Sequence, residues 1–203
     1  MESLIKEIKN VKKESIEKRL AEFKKLGKKP IKEIFKELCF CTLTANYSAE
    51  GGIRIQKQIG DGFLYLCEDD LKTKLKENKY RFPNIRTKYI IKNRNKIEEL
   101  ETILKTKKGN ELREWIVENI IGIGYKEASH FLRNIGFFDY AIIDFHIIDL
   151  LVKYKLIKRP KTLTKIEYLK IENTLRKIAK KVNMSLGKLD LYLWYLETGK
   201  ILK

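Results

Sequence analysis

The amino-acid sequence predicts an all-α protein, and three observations predict it. Apolar residues recur mainly at three- and four-residue spacing, only short stretches such as Ile53–Ile59 alternate, and glycine or proline punctuates the ends of the periodic segments. At 203 residues the chain is long enough for one domain or for two small lobes.

Taken in order, an amphipathic helix is expected over roughly 2–26, stopping at Gly27. Pro30 opens a second helix, running to Asn46, whose middle is apolar enough to be buried. Gly51 and Gly52 are expected to end that unit. Further helices are expected near 53–59, 69–77, 84–105 and 109–120, with a loop at 78–84 because Pro83 disfavours helix just before it. After Gly136 comes an apolar stretch through Tyr154, then a basic connector around 155–164, then helices over about 164–181 and 186–198. Internal repeats and low-complexity linkers are absent, so two lobes assembled from distant segments are expected, not two domains in series.

A formal charge of +17 exceeds what solubility requires and points to an anionic polymer with phosphate contacts, nucleic acid before membrane. The N-terminal twenty residues are charged throughout, and no apolar run approaches the roughly 20 residues of a membrane span, so a soluble, cytoplasmic protein is expected. Cys39, Cys41 and Cys67 are odd in number and fit reduced thiols better than a disulfide framework or a metal site. Glutamine occurs only at 56 and 58 while Lys, Ile and Glu abound, a bias of hyperthermophile proteins and of AT-rich genomes alike.

The chemistry concentrates in residues 111–137. They read as helix, tight turn and helix, with the turn at Ile121-Gly122-Ile123-Gly124. Two glycines in four residues let backbone N–H groups approach an anion, and the positive end of the next helix faces the same point. An ordinary glycine-capped connection has the same sequence; the chain's charge favours a phosphate site. Lys126 falls in the first turn of that helix, where the dipole disfavours a charged ammonium, and a neutral amine is a nucleophile. Asp144 follows the apolar run 141–143 at a helix start, which by itself reads as an N-cap. The two together are the signal for catalysis. His130, four residues past Lys126, shares its helical face, with a hydrogen-bonded core histidine as the alternative. Asp190 and Trp194 form another i, i+4 pair, offering a carboxylate and an indole.

Gly-Ile-Gly-Tyr-Lys followed by Ile-Asp-Phe-His, with Asp144 eighteen residues after Lys126, resembles the helix-hairpin-helix DNA glycosylase superfamily. The segments LCFCTLTANYSAEGG, YRFPNIRTKYI and GIGYKEASHFLRNIG, with a lysine at the C-terminus, resemble within it the archaeal-type (type 2) 8-oxoguanine DNA glycosylase/AP lyases, over essentially the whole chain. No cysteine follows Cys67, so the C-terminal iron–sulfur cluster of endonuclease III-like relatives is not expected, nor is the N-terminal β-rich region of the larger eukaryotic enzyme.

The resemblance implies a helix-hairpin-helix DNA glycosylase fold of two helical lobes with the active site in the cleft between them. One lobe is expected over about 30–135, including the hairpin at 109–135, and the other from 1–29 plus 136–203. It implies a monomeric base-excision repair enzyme acting on double-stranded DNA containing oxidised guanine, without a cofactor or metal. Lys126 would form a Schiff base, Asp144 would support the cationic sugar, and β-elimination would cut the strand 3′ to the abasic site. His130, Phe82, Asp190, Trp194 and terminal Lys203 would recognise the base. Gly122, Ile123 and Gly124 would hold phosphate, and Asn46, Tyr47 and Ser48 would face the gap left by the extruded nucleotide. Arg81, Arg86, Arg94 and the basic connector are further candidate phosphate contacts. A glycosylase for another lesion would keep the same catalytic pair with a different pocket, whereas a non-enzymatic DNA-binding module would keep the hairpin without needing both Lys126 and Asp144.

Overall fold

The computed structural model describes residues 1–11 and 14–203. Its elements are the helices α1 (Glu2–Asn10), α2 (Glu14–Leu26), α3 (Ile31–Thr44), α4 (Ala49–Ile59), α5 (Gly62–Tyr65), α6 (Glu68–Glu77), α7 (Pro83–Arg94), α8 (Ile97–Thr106), α9 (Gly109–Asn119), α10 (Tyr125–Asn134), α11 (Phe145–Lys153), α12 (Lys165–Lys181) and α13 (Leu186–Thr198). No strand occurs among the described residues.

Three expectations about these elements are corrected. The helix over 2–26 is two, because the buried positions Leu4, Ile8 and Val11 and then Ile16, Leu20 and Phe23 each keep four-and-three spacing, but a five-residue step separates the sets. One continuous helix would carry the second set off the buried face; Val11, extended at φ −73°, ψ 135°, ends α1 instead. The helix over 84–105 also divides, at Asn95 and Lys96. Gly51 and Gly52 do not terminate a unit. They lie in the first turn of α4, where a Cβ on Gly51 would come within 2.4 Å of the Tyr47 ring and one on Gly52 within 2.8 Å of Thr44. Close packing, not chain reversal, requires glycine there.

The described chain divides into two compact units, Leu26–Phe131 and Met1–Lys25 with Leu132–Lys203, so the division falls inside α10. In the continuous unit, α3 is the central element and packs against α4, α5, α7 and α8. Its consecutive buried residues from Leu38 to Thr44 show a helix covered on all sides. In the discontinuous unit, α13 plays that part, packing against α1, α11 and α12. Each fully buried Leu, Ile or Phe contributes about 1.5–3 kcal/mol relative to exposure, so these two helices anchor their units. Among the described residues no helix is long and apolar enough to cross a membrane.

Candidate active site

α9 and α10 form a helix-hairpin-helix, with the turn and the start of α10 in the continuous unit. Gly122 adopts φ +82°, and a Cβ there would meet the Tyr89 ring at 2.2 Å, so conformation and space both demand glycine. Ile123 is buried and anchors the turn. Asn93 holds it from α7 in both directions: its amide donates to the Ile121 carbonyl at 3.0 Å and accepts from the Ile121 N–H at 2.9 Å. The N–H groups of Gly122 and Gly124 donate to no described residue, which leaves them available to an anion beside the N-terminus of α10.

Lys126 stands in the first turn of α10 with its side chain one-quarter exposed. Its ion-pair partner among the described residues is Glu127, at 3.7 Å. The turn is gripped from α9. Tyr125 donates its hydroxyl to Glu114, and its ring lies 5.2 Å from the guanidinium of buried Arg113, which also reaches Ser129. His130, buried one turn on from Lys126, packs edge-on to Phe40 with ring centroids 5.6 Å apart.

The same unit carries the aromatic platform. Phe82 is the N-cap residue of α7, half-buried, with Tyr80 edge-on at 6.4 Å and the Arg81 guanidinium 5.0 Å from its centroid. Tyr80 in turn meets Tyr47 edge-on at 4.9 Å and donates to the Leu43 carbonyl at 2.8 Å. Burial raises the pKa of the Tyr80 phenol, and the Arg86 guanidinium beside it offsets part of that rise. Asn46 is exposed at φ 60°, and Ser48 accepts from the Gly51 N–H at 3.1 Å as the cap of α4. Two of the arginines named as candidate phosphate contacts are engaged within the protein. Arg94 donates to the carbonyls of Phe63, Leu66 and Gly62 at 2.8, 2.7 and 3.2 Å, and Arg86 donates to that of Ala45 at 3.3 Å.

The discontinuous unit holds the remaining candidates. Asp144 is the N-cap of α11, and one carboxylate oxygen accepts from the Ile147 N–H at 3.0 Å. The other oxygen has no hydrogen-bond partner among the described residues. Next to it in sequence, the exposed Phe145 ring lies 3.9 Å from that of His146, which meets Trp194 edge-on at 4.9 Å. The Trp194 indole N–H is buried without an acceptor among the described residues. Asp190, one turn before it, is 8% exposed and ion-paired with Arg133. Lys203 is half-buried at the end of the tail that follows left-handed Gly199. A cavity of about 10 Å³ beside Asp190, lined by Ile142, Leu175 and Leu193, has room for a water at most, not a purine. No cluster of three or more His, Cys, Asp or Glu able to hold a metal occurs among the described residues.

A family model described as 8-oxoguanine DNA glycosylase matches residues 16–184. The chain belongs to the 8-oxoguanine DNA glycosylase family. It is 52% identical over 202 residues to an 8-oxoguanine DNA glycosylase/AP lyase of Methanocaldococcus jannaschii, covering 98% of this chain and 97% of that relative. It superimposes, with a TM-score of 0.95 and 51% identity, on the crystal structure of the glycosylase/lyase from that organism in complex with a 15mer DNA containing 8-oxoguanine, covering 99% of this chain and 100% of that one. The Thermotoga maritima 8-oxoguanine DNA glycosylase matches with a TM-score of 0.93 and 46% identity, over 100% of this chain and 99% of that one.

As a member of the 8-oxoguanine DNA glycosylase family, the chain relies on residues that its sequence pattern did not bring forward. Asn93, Arg113 and Glu114 hold the hairpin and the first turn of α10 through contacts 11 to 28 positions away in sequence. One signal was present for Asn93: Phe82, Arg86, Tyr89 and Asn93 follow four-three-four spacing and so share one face of α7. The face is too polar to read as a core stripe.

Proposed function

We propose that this protein excises 8-oxoguanine from duplex DNA and then cleaves the strand 3′ to the abasic site. The observation that carries the reading is Lys126, partly buried, in the first turn of the helix that follows the Gly122 hairpin, in a chain with the family's fold over its full length. DNA is the substrate polymer that the +17 charge and the unoccupied hairpin N–H groups favour.

The target sugar inside a duplex is out of reach, so the nucleotide must be extruded at a cost of a few kcal/mol, offset by phosphate binding at Gly122, Ile123 and Gly124. Asn46 and Ser48, in an exposed turn, face the gap left behind. Phe82 and Trp194 supply aromatic surface to the base, with His130 and Lys203 as further recognition groups. Asp190 acts on that recognition through Arg133 and the seat of α13. The Lys126 amine attacks C1′ as the bond to the base breaks; the bonding pair leaves with the base, which takes up a proton. The Asp144 carboxylate stabilises the positive charge that develops on the sugar. The nitrogen then gives up one proton; its lone pair forms the C=N bond as the C1′–O4′ bond breaks and O4′ takes up a proton, which leaves a ring-opened, protonated Schiff base. Loss of a C2′ proton expels the 3′ phosphate, and hydrolysis of the imine releases Lys126.

Borohydride trapping on a labelled duplex containing 8-oxoguanine opposite cytosine tests this reading. Wild-type protein is expected to form a covalent complex that is absent with Lys126→Gln and with undamaged duplex. Base release without trapping would remove Lys126 from the covalent role, and no release would remove the lesion assignment.

A further inference from the structure

Arg86 belongs by charge with the phosphate-binding side chains, but its surroundings give it another use. Its guanidinium donates to the carbonyl of Ala45, the residue before Asn46. It also lies 6.0 Å from the Phe82 ring centroid and 5.4 Å from that of Tyr89. Tyr89 in turn fills the space that a side chain at position 122 would need. A single cation therefore touches, directly or through one ring, the Ala45 carbonyl that leads into the turn at 46–48, the Phe82 platform and the Gly122 hairpin. All of these lie in one compact unit. The Arg86 Nε is buried without a partner among the described residues. That arrangement costs desolvation energy, which an arginine extended toward a phosphate would avoid. A planar guanidinium can stack on two rings while donating in its plane; an ammonium cannot.

We propose that Arg86 is a positioning residue that fixes these three segments relative to one another and so sets the rate of lesion release without contacting DNA. The proposal rests on the reading of the protein as an 8-oxoguanine glycosylase. It requires the planar group, not the charge, and it couples Arg86 to Tyr89.

The test compares wild type, Arg86→Lys, Arg86→Met, Tyr89→Leu and Arg86→Lys with Tyr89→Leu. Single-turnover release of 8-oxoguanine is measured on each, with affinity for undamaged duplex across a salt series and with Tm. Arg86→Lys and Arg86→Met are expected to slow release tenfold or more, with lysine giving no rescue. The double variant is expected to be no slower than the slower single one. Arg86→Met should leave the salt slope for undamaged duplex unchanged. Release at the wild-type rate in Arg86→Lys overturns the proposal, as does multiplication of the two losses in the double variant. A salt slope reduced by about 0.9 in Arg86→Met would make Arg86 a phosphate contact instead. Should Arg86→Met fail to fold, the lysine and Tyr89 variants decide the matter alone. Wild-type protein that releases no 8-oxoguanine would overturn the functional reading itself, separately from the role of Arg86.

Discussion

Asp144 and Asp190 are the same residue type in the same unit, and their surroundings differ: one caps a helix through a backbone N–H, the other is ion-paired with a buried arginine. Asp144 caps α11 through one oxygen, forms no ion pair among the described residues and keeps a second oxygen without a partner. Asp190 lies inside α13 and is paired with Arg133, whose guanidinium also donates to Asn134 at 2.8 and 3.0 Å and lies 5.1 Å from the Phe23 ring. A carboxylate with a cation against it has little net field left for a cationic sugar or a purine edge. One held only by a backbone N–H retains its field where a reaction can use it.

The largest expected effect follows from removing the charge at Asp144 while leaving its shape. Asp144→Asn should slow single-turnover base release by about 10³-fold, the scale expected when a group that acts in the transition state is lost. Its Tm should stay near wild type, since asparagine caps helices about as well as aspartate. Near-normal release by this variant would place the needed charge elsewhere and remove the distinction between the two aspartates.

Asp190→Asn should reverse the pattern. Breaking a buried ion pair from one side leaves Arg133 buried without its countercharge and costs about 3–5 kcal/mol, measurable by denaturant unfolding. At a temperature where the variant remains folded, release should fall far less than in Asp144→Asn. If Asp190 reads the base directly, the outcome inverts: lesion selectivity collapses while stability holds.

These two aspartates also show how far the sequence could be read. The cap at Asp144 was legible, because its signal is local in sequence. The ion pair of Asp190 was not, because Arg133 lies 57 positions away and no periodicity links them. The all-helical class was legible from spacing, as was the glycine hairpin. The breaks at Val11 and at Asn95 and Lys96 were written as a register step and a polar interruption, signals weaker than the amphipathic runs on either side. Gly51 and Gly52 misled because a glycine that makes room for a neighbouring ring looks in sequence like one that turns the chain. Arg94 looked like a phosphate ligand for a similar reason: charge is visible in sequence, whereas the three carbonyls that receive it are 28 to 32 positions away.

The smallest expected effect separates the two functions of Asp144 itself. Asp144→Ala removes both the charge and the cap, whereas Asp144→Asn removes the charge alone, so the two variants should release base equally slowly and differ only in stability. Loss of a capping side chain costs about 1 kcal/mol, or roughly 2–4 °C in Tm for a chain of this size. That difference should appear between alanine and asparagine in a thermal melt, with asparagine the more stable. Equal melting of the two variants would mean that the Ile147 N–H finds another acceptor when Asp144 is lost, and that α11 does not depend on this carboxylate. Faster release by alanine than by asparagine would mean that the amide hinders the extruded nucleotide, and the 10³-fold loss could then no longer be attributed to charge alone. The expected result leaves one aspartate whose cap holds it in place for chemistry that its charge performs.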